Sequence, residues 1–272
     1  MHRSATVLDL VILGLVQGLT EFLPVSSTAH LLFTEHYLGI LRPGLTLEAA
    51  LHLGTAAAAI VMFWSDVRRL LRAAISFVGF SSEPGGADPN RGLLLAILAA
   101  TVVTALLGLL FEAPLTRMFE SVRGTAVQLL ITGVILLRHR ERGARTVGEA
   151  TVRDGIALGL AQALAIIPGI SRSGITIVTG LGLGFRRAEA ARLSFLMAIP
   201  AITGASLFSL KDAGAAARVG FGPLPLAVGA AVAGVSGALA IAWLLDIVRR
   251  GRLVWFAVYC WIAGIIVLTT AR

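Results

Sequence analysis

Charge is scarce in this chain. Charged residues make up 14% of its 272 positions, against about 25% in a soluble domain. Cysteine is nearly absent too. The single Cys260 lies inside an apolar run, which excludes a disulfide framework and a thiolate metal cluster. Hydrophobic residues fill 57% of the chain, where a soluble domain has roughly 45–50%. Runs such as "TAAAAIVMFW" (55–64), "GLLLAILAATVVTALLGLLF" (92–111) and "VWFAVYCWIAGIIVLTT" (254–270) approach or reach the length of about 20 residues that crosses a bilayer. The chain reads as an all-α polytopic membrane protein.

The net charge of +8 does not signal nucleic acid. The arginines sit in short loops between apolar runs, which is the positive-inside pattern of a membrane protein. The N-terminus imitates a secretory signal, with His2 and Arg3, an apolar stretch and a small-residue "SSTA". Asp9, Gln17 and Glu21 interrupt that stretch and the apolar pattern continues beyond it, so the segment reads as part of the fold rather than a cleaved leader.

Two apolar segments are broken by proline and serine: "GLVQGLTEFLPVSSTAHL" from Gly14 and "GLAQALAIIPGISRSGITI" from Gly159. They align as GL-small-Q-small-L, apolar residues, proline and a serine-rich turn, with a one-residue shift before the proline. Gly14 and Gly18 make a GxxxG step that Gly159 and Ala163 repeat as small-xxx-small, a spacing that lets helices approach closely. The matched pair points to an internal duplication, repeat one at about 1–140 and repeat two at about 150–272, within a single membrane domain spanning 1–272.

The remaining spans are expected at about 47–64, 92–111, 121–137, 190–210, 222–247 and 253–270, with 76–90 as a plain connector. Placing the basic segments around Arg68, Arg69 and Arg72, around 138–153, around Arg186, Arg187 and Arg192, and around Arg249, Arg250 and Arg252 in the cytoplasm constrains the topology. Six single crossings then work only if 155–184 enters and leaves from the cytoplasmic side and 7–40 from the outer side. The expected fold is therefore six transmembrane helices plus two re-entrant helix hairpins in an inverted-topology repeat, with both termini outside. Sites in such proteins form near the midplane where broken helices meet. Non-helical backbone is tolerated at that depth only inside protein or beside a wet cavity.

In the first hairpin Gln17 and Glu21 are four apart and share a helix face. Pro24 ends that helix, Ser26 or Ser27 caps the next, and His30 falls in its first turn. The serines are compatible with plain capping, but an intramembrane glutamate such as Glu21 is costly and functional by default. In the second hairpin Pro168 and Gly169 break the helix, and Ser171, Arg172, Ser173 and Thr176 surround the start of the next. Free backbone N–H groups, a positive dipole end and a guanidinium suit a phosphate-like anion. Arg172 pairing with Glu21 across the repeat is the alternative, and both roles are compatible in the empty state. Glu48 and His52, four apart, either support the site or pair with each other. Glu35 and His36 read as interfacial, and Trp64, Trp243, Trp255, Tyr259 and Trp261 read as interfacial belts or packing without chemistry.

"QGLTEFLPVSSTAH" (17–30) and "PGISRSGIT" (168–176), with "LHLGT" (51–55), "VMFW" (61–64) and "AARLSFLMAIPA" (190–201), resemble the undecaprenyl-diphosphatase family, integral membrane phosphatases of the bacitracin-resistance type. The resemblance covers nearly the whole chain. It implies hydrolysis of undecaprenyl diphosphate to the monophosphate and inorganic phosphate, recycling the carrier for peptidoglycan and other envelope polymers. It also implies a bacterial plasma membrane location and a site open to the outer side. Carried over by motif, Glu21, Ser27, His30 and Arg172 are the expected catalytic residues. Ser26, Gly169, Ser171, Ser173 and Thr176 are expected to bind substrate. Dependence on a divalent cation, magnesium or calcium, is typical of the family, with Glu21 and Gln17 as ligands. Many members carry a second glutamate where this chain has Gln17, so a doubly charged metal pair is absent here. The expected partners are the polyprenyl diphosphate lipid and membrane lipids, without nucleic acid, and a homodimer is left open.

The expected chemistry is attack by Ser27 on the terminal phosphate with His30 as base, against direct attack by water as the rival. Two other functions compete. A carrier for a polyprenyl phosphate or another anion would use the same architecture without an activated hydroxyl. An intramembrane serine protease pairs serine with histidine, but a peptide bond brings no phosphate for Arg172.

Overall fold

The computed structural model describes residues 6–40, 45–77, 90–111, 121–138, 143–211 and 223–271. Among the described residues are eleven α-helices, one 3-10 turn and no strand. Residues 78–89 of the expected connector and residues 139–142 of one basic segment lie outside them.

Both broken segments form pairs of helices that begin and end for the same local reasons. Helix α1 (Val7–Phe22) starts at a capping box in which Thr6 and Asp9 satisfy each other's backbone N–H groups. It stops two residues before Pro24, and α2 (Ser27–Leu38) starts at Ser26 and ends at Gly39, which turns left-handed and bonds back to Glu35 and His36. In the second pair α7 (Val152–Leu164) starts at the equivalent Thr151–Asp154 box, and α8 (Arg172–Gly182) starts at Ser171. Thr6 lies eight residues ahead of Gly14, and Thr151 eight ahead of Gly159. The internal repeat therefore extends beyond the polar motifs to the caps that start each pair.

The six other expected spans each coincide with a helix: α3 (Leu45–Met62), α5 (Arg91–Leu110), α6 (Val122–Leu137), α9 (Arg187–Lys211), α10 (Pro223–Arg249) and α11 (Val254–Thr270). Helices α5, α9 and α10 are each long and apolar enough to cross a membrane, while α6 and α11 are apolar but shorter. After α3 the chain bends by 88° into α4 (Trp64–Phe77). That helix replaces the plain basic loop expected at Arg68, Arg69 and Arg72. Asp66, buried at the bend, explains it, because Arg69 and Arg192 both donate to its carboxylate and hold the turn against α9.

The first halves of the two hairpins pack on distant helices. Helix α1 lies on α10 and α3, and α7 lies on α5. A methyl group at Gly18 would fall 2.0 Å from Ser236 Oγ and 2.4 Å from the Ala233 carbonyl, and one at Gly155 would fall 2.2 Å from the Ala96 carbonyl. The small residues therefore set how near these helices approach, as the spacing suggests. The largest apolar cluster surrounds the hairpin tips: Phe22, Leu129, Ile177 and Phe195 are fully buried there. Phe22 meets Phe195 edge to face at 5.5 Å, so the backbone of the first tip rests on a packed floor.

Candidate active site at the hairpin tips

One turn of α1 carries Gln17 and Glu21 inward, and both are buried. Gln17 Nε2 donates to Glu21 Oε2 at 2.9 Å, which leaves Gln17 Oε1 buried without a partner. The same Glu21 oxygen accepts from Ser27 Oγ at 2.6 Å. Ser27 reaches back because Ser26 takes a left-handed φ of 65°, the only positive φ among the described non-glycine residues. That conformation is costly outside glycine and turns the chain sharply into α2, whose first turn Ser26 caps at the Ala29 N–H. The tip is held from behind by Cys260, whose thiol donates to the Pro24 carbonyl at 3.7 Å.

The second hairpin supplies the opposite charge. Arg172 Nη2 donates to Glu21 Oε1 at 2.6 Å, joining residues 151 positions apart. Arg172 Nη1 is buried and has no partner. Ser171 caps α8 at the Gly174 N–H and lies 3.2 Å from Ser173 Oγ. Ser173 donates to the Leu23 carbonyl at 2.9 Å and so locks one tip to the other. Thr176 donates to the Arg172 carbonyl and shares a 2.6 Å bond with Ser194, an arrangement that fixes α8 to α9. Gly169 has φ 95°, and a methyl group there would fall 2.4 Å from the Thr125 carbonyl oxygen; its own carbonyl accepts from Thr132.

The structure joins Gln17, Ser27 and Arg172 to Glu21, and Ser173 ties the two tips together, while Gly169, Thr176 and His30 bond to other partners. Ser27 is bonded to Glu21, not to His30. His30 Nδ1 donates to the Ser26 carbonyl at 2.9 Å, because a first-turn histidine sits above the carbonyl one turn back. Its Nε2 meets the Tyr259 hydroxyl at 2.8 Å, and the two rings stack at 5.6 Å. Tyr259, read from sequence as packing, is a second partner of the site. No local pattern announces it, since it lies 229 residues away. His52 supports the site from α3: its Nδ1 donates to the Glu48 carbonyl at 2.7 Å, and its Nε2 lies 3.6 Å from Glu21 Oε2.

Among the described residues no three His, Cys, Asp or Glu side chains gather as a metal cage. Magnesium, however, is commonly held by one or two protein oxygens together with substrate phosphates. The unpartnered Gln17 Oε1 beside the Glu21 carboxylate fits that incomplete set of hard donors.

These features define a multi-pass, helical membrane protein with a buried ion pair and a serine hydroxyl bonded to its carboxylate where two broken helix pairs meet. Residues 10–266 match the family described as Bacitracin resistance protein BacA, and the chain belongs to that family. It is similar to the undecaprenyl-diphosphatase of Halothermothrix orenii, 39% identical over 97% of this chain and 98% of the relative. The undecaprenyl-diphosphatase of Syntrophotalea carbinolica is 43% identical over 94% and 96%. That of Methanobrevibacter smithii is 39% identical over 96% of each chain.

Proposed function

We propose that the protein is a phosphatase that hydrolyses undecaprenyl diphosphate to undecaprenyl phosphate and inorganic phosphate, returning the lipid carrier to peptidoglycan and envelope polymer synthesis. One observation carries the reading at this site: Glu21 holds Arg172 with one oxygen and Ser27 with the other, while Arg172 Nη1 is left buried and unpaired. A carrier has no use for the second of those bonds.

Phosphoryl transfer is largely a matter of positioning and charge stabilisation. The terminal phosphate competes with Glu21 for Arg172, whose two terminal nitrogens match a pair of phosphate oxygens. Freed from its cation, the Glu21 carboxylate becomes a stronger base toward the Ser27 proton that it already accepts. A bond forms from Ser27 Oγ to the terminal phosphorus, and the anhydride bond breaks to release the lipid monophosphate. Water then cleaves the phosphoserine, and the proton on Glu21 returns to Ser27 as inorganic phosphate leaves. His30, one turn beyond Ser27 on α2, has one ring nitrogen on the Ser26 carbonyl and the other on the Tyr259 hydroxyl, so its role shifts from base to holding the tip in position. Ser171 and the first N–H groups of α8 add donors at the positive end of that helix. A divalent cation would be held by Gln17 Oε1 and Glu21 and would neutralise diphosphate charge. The Gln17→Glu variant should reach half-maximal activity at a lower cation concentration, measured by titrating magnesium, since a second carboxylate strengthens a hard-ion site.

The membrane arrangement belongs to the same proposal: six single crossings, two re-entrant hairpins, and two inverted repeats with the site facing outward. The paired Thr–Asp caps, and the reciprocal seating of α1 on α10 and of α7 on α5, support it.

The test is phosphate release from undecaprenyl diphosphate in detergent micelles. The parent should turn over, Ser27→Ala should not, and rapid quenching should trap phosphate on Ser27. Turnover surviving in Ser27→Ala would remove the covalent step. A folded parent that releases nothing across several metals and lipid lengths would remove the phosphatase reading.

A further inference from the structure

Away from the ion pair, a cavity of about 590 Å³ opens between the end of α1 and the turn joining α10 to α11. Leu19, Leu23, Ile247 and Phe256 make its apolar walls, and Val25 and Tyr259 close the end nearest the hairpin tip. At the other end stand Trp243, Trp255, Arg250 and Arg252. The size suits a small-molecule ligand, and the walls suit a hydrocarbon chain.

The charge at the mouth restricts what that chain can carry. Gly251, at φ 68°, sets Arg250 and Arg252 on either side of a tight turn, and a methyl group there would fall 3.0 Å from the Arg187 guanidinium carbon. Three arginines therefore converge on one corner. Arg252 has no ion pair among the described residues, and Arg250 pairs only with Asp246, both more than half exposed, so water weakens that bond. The start of α11 has no side-chain cap, which leaves a positive helix end in the same corner. Trp243 and Trp255 are 55% and 67% exposed, as side chains at a membrane surface often are. Basic pockets between membrane helices bind anionic lipid headgroups.

We infer that this groove is a second lipid site, which takes an anionic phospholipid with its phosphate on Arg250 and Arg252 and one acyl chain running inward to Val25 and Tyr259. Its inner end touches the catalytic machinery, because the Tyr259 hydroxyl holds His30 Nε2. A chain in the groove packs on the ring that positions the histidine. The inference goes beyond the hydrolysis reading and does not need it.

Trp243 and Trp255 make the binding measurable. The parent protein, in phosphatidylcholine vesicles, is titrated with phosphatidylglycerol brominated on its acyl chains, and tryptophan quenching is compared with that by brominated phosphatidylcholine. Phosphatidylglycerol should quench at a lower mole fraction. In an Arg250→Gln, Arg252→Gln double variant that preference should fall roughly thirtyfold, since each arginine near an anionic surface contributes on the order of 1 kcal/mol and 1.4 kcal/mol is tenfold. Asp246→Asn should move it the other way by releasing Arg250, a check that holds even if the double variant folds poorly. Equal quenching by the two lipids, or a preference unchanged in both variants, overturns the site. So does a preference shown by polyprenyl monophosphate alone, which would make the groove a product path.

Discussion

Replacing Arg172 by alanine is expected to lower phosphate release by on the order of 10²–10³-fold, the usual loss when one preorganised donor is removed from a transition-state site. Its unpaired Nη1 and its bond to Glu21 make it, among the described residues, the one guanidinium at the tips that can pass from carboxylate to phosphate. Arg172→Lys should recover only part of the activity, because an ammonium keeps the charge but cannot grip two oxygens in a plane. Glu21→Ala should be equally damaging. The double variant should be little worse than either single one, since residues acting as a unit lose their function together. Rates measured in micelles for all four proteins check this. Removing one partner of a buried pair also destabilises, by about 3–5 kcal/mol in well-buried cases, so thermal midpoints must accompany the rates. Additive losses would mean that Glu21 and Arg172 act independently, against the proposed exchange of partners.

The Gly54→Ala variant is expected to be the most destabilised of the conservative changes, by about 3 kcal/mol. A methyl group there would lie 2.0 Å from the Ala230 carbonyl oxygen and 2.8 Å from its carbon, both backbone atoms, so α3 and α10 would have to separate along their length. Helix α3 also carries His52 toward Glu21, so activity should fall with stability. Gly204→Ala in α9 is the matched control. Nothing lies within 4 Å of its added carbon, and removing a helical glycine should gain up to about 1 kcal/mol. Thermal unfolding in detergent distinguishes the two. Equal midpoints would show that α3 and α10 are not held at backbone contact.

Much of this arrangement is legible in the sequence. Apolar run length located six helices, because a segment in hydrocarbon must satisfy its own backbone. Pro24, Pro168 and the serines marked the breaks because proline and hydroxyl caps act within a few residues. The spacing of Gln17 and Glu21, and of Ser171 and Arg172, placed both halves of the site for the same reason. The bend at Asp66 was invisible, since its cause is Arg192, 126 residues away.

The sequence by itself determined that this is a helical membrane protein with two polar breaks, and which residues stand at them. Those properties follow from local periodicity and composition. Only the tertiary structure decided who bonds to whom: Ser27 to Glu21 in place of His30, His30 to Tyr259, Arg172 to Glu21, and His52 aimed at the same carboxylate. Each of those partnerships depends on how closely helices distant in sequence approach, and glycines such as Gly18, Gly54 and Gly155 set that distance only once both surfaces are in place.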